Sequence, residues 1–298
     1  MPASVPRGLR AAPDLPIRLI ALDIDGTLVG DDLVLHERTV RAVAEARRRG
    51  VRVSIVTGRM ATSAAEFARD LGLTGTIVGY QGAIAREMSD GASGRIGRLL
   101  RHRPLDAATA ADIVEWTQSV GLVPHFNHLE TLVLPADDPR AEDYSRFVGG
   151  RLTLVPSLES WLSVRRTVTK VIAVGRGPRP REAYPDARAR FEGRAEATIS
   201  HPDFLEFVAP GVSKGEAVRW LARREGIPLS QVMAVGDQLN DLEMIEVAGH
   251  GVAMGNAPAE VRAAARYVAL HVDEQGAARM IEDLVLGDPR SAMTARAL

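Results

Sequence analysis

The sequence predicts an α/β protein with a doubly wound parallel sheet as its core and an inserted α+β domain. Short apolar runs alternate with amphipathic helical stretches at both ends of the chain, which is typical of a parallel sheet covered by helices. Several of these runs end at polar residues. The middle of the chain mixes helices with short alternating runs that lack acids at their ends, which predicts an α+β insert.

The composition is that of a globular protein, with 46% hydrophobic and 25% charged residues among 298. A formal net charge of −1 argues against a nucleic-acid binder held by bulk electrostatics. The chain contains no cysteine, which excludes disulfides and thiolate metal sites. No apolar run approaches the roughly 18 residues of a membrane span, so we expect no membrane partner.

The element pattern divides the chain into four parts. Residues 1–16 are rich in Pro, Ala and Arg and lack the apolar centre of a secretory signal, so we expect a disordered leader and a cytoplasmic protein. Residues 17–85 and 200–286 are assigned to the core, 86–199 to the insert and 287–298 to a loose tail.

The first predicted strand lies in the segment LIALDIDGTLVG, Leu19 to Gly30. Its apolar run is short enough for a buried strand and stops at Asp23 and Asp25. Ligands of open α/β sheets collect at the carboxyl edge of the strands, where these two acids would project. An Asp-Gly pair after a strand is also a common turn, which is the alternative interpretation.

An amphipathic helix follows, with arginines in its last turn and Gly50 beyond it. The second strand, from Val51 to Val56, ends at Thr57 and Gly58, just before another helix. A hydroxyl, a glycine and a helix N-terminus together suit a phosphate contact, although the tripeptide alone would indicate only a turn. A third strand, Thr76 to Tyr80, leads to Gln81.

The second acidic cluster, GDQLND, follows a late apolar strand and contains Asp237, Asn240 and Asp241. The α/β pattern places these acids at the same sheet edge as Asp23, where several carboxylates would repel one another without a cation. All-oxygen ligands favour Mg²⁺. Separate surface acids that cap helices are the alternative interpretation.

Lys214 opens a late helix and is one of only two lysines in a chain that otherwise uses arginine. A lysine at a helix start opposes the helix dipole slightly. Its position suggests that a compact ammonium is needed, to pair with Asp23 and a phosphoryl oxygen at one point. The other lysine, Lys170, lies in the insert and is interpreted as a strand-edge residue.

Four motifs resemble the signatures of the haloacid dehalogenase-like phosphohydrolases: DIDGTL, the threonine at Thr57, APGVSKG and GDQLND. Their spacing is similar to that of the Cof-type branch, which has a Rossmann-like core and a large inserted cap. Two positions depart from the Cof-type pattern. Gln81 stands where these relatives usually have asparagine, and an asparagine expected within Val272–Gly276 (VDEQG) is absent.

The resemblance implies a role for each matching residue. Asp23 would attack phosphorus, and Asp25 would protonate the leaving group and then activate water. One Asp23 oxygen, the Asp25 carbonyl and Asp237 would bind Mg²⁺, with Asp241 supporting that shell. The transferring group would be held by Thr57, Gly58 and Lys214, with Asn240 close to it or to the metal.

A closing cap would exclude water and select substrates. The predicted cap selectors lie on a strand-turn-strand: His125, Asn127, His128 and Glu130. The two histidines would otherwise be exposed turn residues. Arg165 and Arg166 could meet a second anionic group, with a solvated helix face as the alternative.

These patterns predict a Mg²⁺-dependent phosphatase for small phosphorylated metabolites, in particular sugar phosphates. Asp25 separates the chain from dehalogenases, which do not need a second acid, and from the ATPase pumps, which carry threonine there. Two alternatives stay open: a mutase or transferase that uses the same site, and a non-catalytic phosphate-binding regulator. The sequence does not predict the oligomeric state.

Overall fold

The computed structural model describes residues 16–88, 96–138 and 151–287. Apart from Pro16 and Gly287, the expected leader and tail lie outside these residues. In chain order the strands are β1 (Leu19–Leu22), β2 (Arg52–Val56), β3 (Thr76–Gly79), β4 (Ile84–Met88), β5 (Ile96–His102), β6 (Leu105–Asp106), β7 (Val123–His128), β8 (Thr131–Pro135), β9 (Arg151–Val155), β10 (Thr167–Val168), β11 (Lys170–Val174), β12 (Glu196–His201), β13 (Phe204–Val208), β14 (Val232–Gly236), β15 (His250–Ala253) and β16 (Tyr267–Val268).

The helices alternate with these strands. In chain order the α-helices of the described residues are α1 (Glu37–Arg48), α2 (Ala61–Asp70), α3 (Ala107–Ser119), α4 (Leu158–Arg165), α5 (Arg179–Arg190), α6 (Lys214–Glu225), α7 (Leu242–Val247), α8 (Ala259–Ala264) and α9 (Gly276–Ile281). A π-helical turn, Glu282–Leu286, continues α9. Within the described ranges, every helix is too short or too polar to cross a bilayer.

The larger sheet has eight strands in the order β16-β15-β14-β1-β2-β3-β4-β5. The strands from β16 to β3 pair in parallel, and β4 and β5 continue the sheet antiparallel. The last residue of β1, Leu22, lies opposite Val235 of β14 and Ile55 of β2. The residues that follow these three strands therefore meet at one edge of the sheet.

Helices cover both faces of this sheet, because successive residues of a buried strand point to opposite sides. Leu19 and Ala21 pack in a cluster with α6, α7 and α8. Ile20 and Leu22 pack in a second cluster with α1, α2 and α9. The predicted doubly wound α/β core is confirmed.

The smaller sheet belongs to the insert and has the order β12-β13-β11-β7-β8-β9. One of its faces packs on α3, α4 and α5 around an aromatic cluster. Trp116, Phe191 and Phe207 meet edge to face there, with ring centroids between 5.4 and 5.8 Å apart. The other face turns toward the carboxyl edge of the larger sheet, and we call the insert the cap.

The expected boundaries of the cap at 85/86 and 199/200 are wrong on both sides. Strand β5 was assigned to the cap, yet it pairs with β4 in the larger sheet. Strand β13 was assigned to the core, yet it pairs with β11 and β12 in the cap sheet. An apolar run predicts a strand but not the sheet it joins, since pairing depends on contacts that are distant in sequence. The chain crosses between the two sheets after His102 and after Val208.

Candidate active site

Three buried carboxylates converge at the edge of the larger sheet. Asp23 follows β1, and Asp237 and Asp241 follow the neighbouring strand β14. One oxygen from each lies within 4.8 Å of the others, and the exposed fraction of each residue is 5% or less. The predicted convergence of the two acidic motifs is therefore present in the structure.

Lys214 joins this cluster from the first position of α6. The Ser213 hydroxyl caps the helix by accepting a hydrogen bond from the Glu216 backbone N–H at 3.0 Å. The Lys214 ammonium lies 2.8 Å from Asp23 Oδ1 and 2.6 Å from Asp241 Oδ1. Because the lysine is only 1% exposed, these carboxylates replace the water that an ammonium would otherwise bind.

The second oxygen of Asp241 is also used inside the protein. It accepts hydrogen bonds from the backbone N–H groups of Asp237 and Gln238, at 3.0 and 2.9 Å. With one oxygen on Lys214 and the other on two amides, Asp241 fixes the loop that presents Asp237.

Burial and mutual repulsion raise the pKa of two of these carboxyl groups, Asp23 and Asp237. The pKa of Asp23 is raised well above its ordinary value by burial, against the Lys214 charge and with help from the neighbouring carboxylates. Burial and the Asp241 charge raise the pKa of Asp237 to about 7. Burial alone would lower the pKa of Lys214, but Asp23 and Asp241 outweigh it and raise it. Three carboxylates facing one ammonium leave a formal deficit of two positive charges.

The loop after β1 fits tightly around Asp237. Gly26 has a positive φ of 72°, and a side chain there would collide with the Asp237 carboxylate. The Thr27 hydroxyl donates to Asp237 Oδ1 at 3.2 Å. Asn256 Nδ2 donates to the Gly26 carbonyl oxygen at 2.8 Å and to Asp237 Oδ2 at 3.4 Å.

Thr27 and Asn256 were missed in the sequence, although their motifs carried a signal. Thr27 completes the DGT triplet, and Asn256 follows β15 in the string GNA, at the same sheet edge. Asn256 also contacts the segment near which an asparagine was expected, since its Oδ1 accepts from the Val272 backbone N–H at 3.1 Å.

The side chain of Asp25 is not part of the carboxylate cluster and is 54% exposed. Arg59 binds it with two hydrogen bonds, of which that from Nε to Oδ2 measures 2.8 Å. Arg59 is a third residue missed in the sequence, and it ends the string TGR that begins at Thr57. The Thr57 hydroxyl accepts from the Arg59 backbone N–H at 3.2 Å, so the two predicted site segments are joined through one arginine.

A cavity of about 490 Å³ lies between this edge and the cap sheet. Seven predicted site residues line it: Asp23, Asp25, Thr57, Gly58, Asn127, Lys214 and Asn240. Asp237 and Asp241 are buried against Asp23 and Lys214 and do not line the cavity.

Three of the four predicted cap selectors lie elsewhere. His125 is fully buried and its Nε2 lies 2.6 Å from Asp138 Oδ2, while His128 packs edge to face on Trp161. Glu130 binds Arg86 and the Thr62 backbone N–H, which ties the cap to the core. In this structure these three side chains do not line the cavity.

The predicted anion-binding role of Arg165 also finds no support, because its guanidinium lies over the Trp161 ring at 5.4 Å. Neither Arg165 nor Arg166 lines the cavity.

Lys170 is buried in the middle of the cap sheet, so its interpretation as a strand-edge residue is wrong. Its ammonium lies 2.7 Å from Glu206 Oε1 and donates to the Gly58 carbonyl oxygen at 3.2 Å. Gln81 Nε2 donates to the other oxygen of Glu206 at 3.2 Å, and Gln81 Oε1 accepts from Asn240 Nδ2 at 3.0 Å. We call Lys170, Glu206, Gln81 and Asn240 the bridging network, since it connects the cap sheet to both halves of the core.

Comparison with known proteins gives one consistent family. A family model described as haloacid dehalogenase-like hydrolase matches residues 20–281. Phosphatase YwpJ of Bacillus subtilis (strain 168) is 28% identical over 296 residues, covering 90% of this chain and 100% of that protein. The 5-amino-6-(5-phospho-D-ribitylamino)uracil phosphatase YcsE of the same strain is 29% identical over 278 residues, covering 92% of this chain and 98% of that protein.

Comparison with solved structures indicates the same family. The crystal structure of a haloacid dehalogenase-like hydrolase from Bacteroides thetaiotaomicron superposes with a TM-score of 0.74 at 26% identity. The match covers 89% of this chain and 98% of that one.

Proposed function

The chain belongs to the haloacid dehalogenase-like hydrolases, among the Cof-type phosphatases, and on that premise we propose a more specific reaction. It hydrolyses phosphate monoesters of small metabolites with Mg²⁺, through a phosphorylated Asp23. The observation that carries this proposal is the position of Asp23, which lines the cavity while Lys214, Asp237 and Asp241 surround it from within the core.

The donor set fits a hard divalent cation. Carboxylates dominate the cluster, and with all three ionised their charge exceeds that of the single Lys214 ammonium by two. Asp23 and Asp237 would hold Mg²⁺ through one oxygen each, with the Asp25 carbonyl as a third protein ligand. When bound, Mg²⁺ supplies the charge neutralisation that lets an anionic nucleophile approach an anionic phosphate.

Each step of the reaction would be carried out by a different group of residues in the chain. Asp23 attacks phosphorus as the nucleophile, and Lys214 holds a phosphoryl oxygen beside it. Thr57 and Gly58 bind the remaining oxygens at the end of β2. Asp25, which Arg59 binds through both oxygens, would take up a proton from solvent, give it to the departing alkoxide and later remove one from the water that attacks the phosphorylated Asp23.

The deciding experiment is phosphate release from p-nitrophenyl phosphate, with Mg²⁺ and with EDTA. We expect Mg²⁺-dependent release of one phosphate per ester molecule in the absence of any alcohol that could accept the phosphoryl group. A mutase or transferase would stop after one turnover until an acceptor is added. Release that is unaffected by EDTA, or absent under both conditions, would contradict the proposal.

The raised pKa of Asp237 predicts that stabilisation by Mg²⁺ depends on pH. The folded metal-free protein keeps a proton on Asp237 up to about pH 7, whereas an unfolded aspartate loses it near pH 4. The folded state therefore binds more protons between these values, and its stability falls as the pH rises through them. Mg²⁺ removes this penalty by binding the ionised form.

We expect the rise in Tm on adding saturating Mg²⁺ to be large at pH 8 and small at pH 5, measured by differential scanning fluorimetry. At 100 times Kd the stabilisation would be about 2.7 kcal/mol. The Asp237→Asn protein should lose the Mg²⁺ response, and the exposed control Asp70→Asn should keep it. An equal response at both pH values would contradict the assignment of Asp237.

A further inference from the structure

The turn after β3, Tyr80–Gly82, contacts residues 57–59, which we call the phosphate-binding segment. The Gln81 backbone N–H donates to the Thr57 carbonyl oxygen at 3.0 Å. A trans peptide group is planar, so the carbonyl oxygen of one residue and the N–H of the next point in opposite directions. The bond from Gln81 therefore fixes the Gly58 N–H in a direction away from this turn.

Of the three backbone N–H groups in this segment, two are bonded within the protein. The Thr57 N–H donates to the Val78 carbonyl oxygen at 3.0 Å, and the Arg59 N–H donates to the Thr57 hydroxyl oxygen at 3.2 Å. Among the described residues, the Gly58 N–H has no such acceptor. Because Thr57 and Gly58 line the cavity, the direction of this N–H decides whether it meets an oxygen of a bound phosphoryl group.

The backbone of the turn has a conformation that its residues do not favour. Tyr80 and Gln81 have φ angles of 50° and 60°, in the left-handed region that residues other than glycine rarely adopt. The Tyr80 hydroxyl donates to the Leu129 carbonyl oxygen of the cap at 2.9 Å, and the Lys170 ammonium lies 5.0 Å from the centre of the Tyr80 ring. Because such a conformation persists only where surrounding contacts impose it, the contacts of this turn determine its shape.

The side chain of Gln81 supplies further contacts that hold the turn. Its Nε2 donates to Glu206 of the cap at 3.2 Å, and its Oε1 accepts from Asn240 of the core at 3.0 Å. A carboxylate only accepts, so Glu206 fixes which end of the amide faces it. The amide also lies against Gly58, where a Cβ would come within 2.6 Å of Nε2. Since Gln81 is 2% exposed and does not line the cavity, it can act on a substrate only through these neighbours.

We infer that Gln81 is a positioning residue, which Glu206 and Asn240 hold so that its backbone directs the Gly58 N–H toward the transferring phosphoryl group. This inference rests on the proposed function, because the phosphoryl group must lie at Thr57 and Gly58. The phosphoryl group is common to all phosphate monoesters. The contribution of Gln81 to the rate is therefore similar for esters with different leaving groups.

The kinetic test compares wild type with Gln81→Leu, a substitution of similar size that removes both polar atoms. Loss of one donor to a developing charge lowers a rate about 10²- to 10³-fold, and a donor that is misdirected should cost about 10- to 100-fold. We expect kcat/KM with Mg²⁺ to fall in this range, by similar factors for p-nitrophenyl phosphate and phenyl phosphate. The exposed control Gln118→Leu should match wild type. An unchanged kcat/KM, or a loss confined to one ester, would overturn the inference.

Two further variants separate positioning from a role in stability alone. Gln81→Gly fits the positive φ without strain but has no side chain to hold the turn, so it should fold and still lose activity as Gln81→Leu does. Gln81→Asn favours the left-handed region and keeps an amide for one of the two partners, so it should recover more than half of the loss on a logarithmic scale. If both variants match wild type in kcat/KM, or Gln81→Asn is no more active than Gln81→Gly, the inference is wrong.

A binding test by NMR keeps the inference apart from the proposed chemistry. Threonine labelled with ¹³C at the carbonyl and glycine labelled with ¹⁵N together select the glycines that follow a threonine, Gly58 and Gly75. Saturating inorganic phosphate with Mg²⁺ should shift the Gly58 N–H proton signal downfield in wild type and by less than half as much in Gln81→Gly. Gly75, at the other end of β3, should not shift. Equal or absent Gly58 shifts would overturn the inference, even if wild type hydrolyses aryl phosphate. Failure of all hydrolysis with this pattern intact would contradict the proposed function alone.

Discussion

Asp23→Asn is expected to release phosphate from p-nitrophenyl phosphate at least about a thousandfold more slowly than wild type. An amide has nearly the shape of a carboxylate but is a poor nucleophile, and the substitution would also remove one proposed ligand of the cation. The fold should survive, because the substitution relieves repulsion from Asp237 and Asp241, which lie within 4.8 Å. The Tm without metal should therefore be unchanged or higher.

Asp70→Asn, at the exposed end of α2, is the matched control and should keep full activity. A more direct readout comes from Asp25→Asn, which lacks the group proposed to activate water. Because p-nitrophenolate departs without an acid, this variant should accumulate phosphorylated protein, visible by intact mass spectrometry. The double variant Asp23→Asn, Asp25→Asn should show no such species. Activity of Asp23→Asn within tenfold of wild type would refute the nucleophile assignment.

Lys214→Met is expected to combine loss of activity with a large loss of stability. The substitution leaves Asp23 and Asp241 buried without their cation, and removing one partner of a buried ion pair costs about 3–5 kcal/mol. Phosphate binding loses its ammonium as well, so the rate should fall about a hundredfold or more. Urea denaturation without metal measures the first effect, and phosphate release with Mg²⁺ measures the second.

Arg219→Met on the same helix is the control, since its ion pair with Glu243 is half exposed and measures 3.9 Å. A surface pair of this kind contributes at most about 1 kcal/mol. If Lys214→Met does not fold, the double variant Lys214→Met, Asp241→Asn should recover part of the lost stability, because it removes one uncompensated charge. If Lys214→Met is as stable as Arg219→Met, the stability of the carboxylate cluster does not depend on the Lys214 ammonium.

The geometry of the catalytic edge could be predicted from sequence because each of its residues is tied to the end of a regular element. Asp23, Thr57 and Asp237 each follow a parallel strand, and neighbouring parallel strands bring their ends together. Lys214 stands at a helix start beside them. The convergence of these residues can therefore be predicted from few contacts between distant parts of the chain.

The cap could not be predicted in the same way. Its sheet is largely antiparallel and its strands are not in chain order, so the sequence did not show that β11 lies between β7 and β13. This order decides that Lys170 is buried, and the pairing of Lys170 with Asn127 decides which part of β7 meets the cavity. His125 shares the face of Asn127 but lies two residues earlier in the strand, against Asp138.

The bridging network has a consequence for engineering. Glu206 and Lys170 come from the cap, whereas Gln81, Asn240 and the Gly58 carbonyl belong to the core. A chimaera that grafts a relative's cap onto this core would remove Glu206, the acceptor of the Gln81 Nε2 group, while the bond from Asn240 to Gln81 Oε1 would remain. A transfer of substrate preference between such enzymes therefore requires that the residue at position 81 be exchanged together with the cap that contacts it.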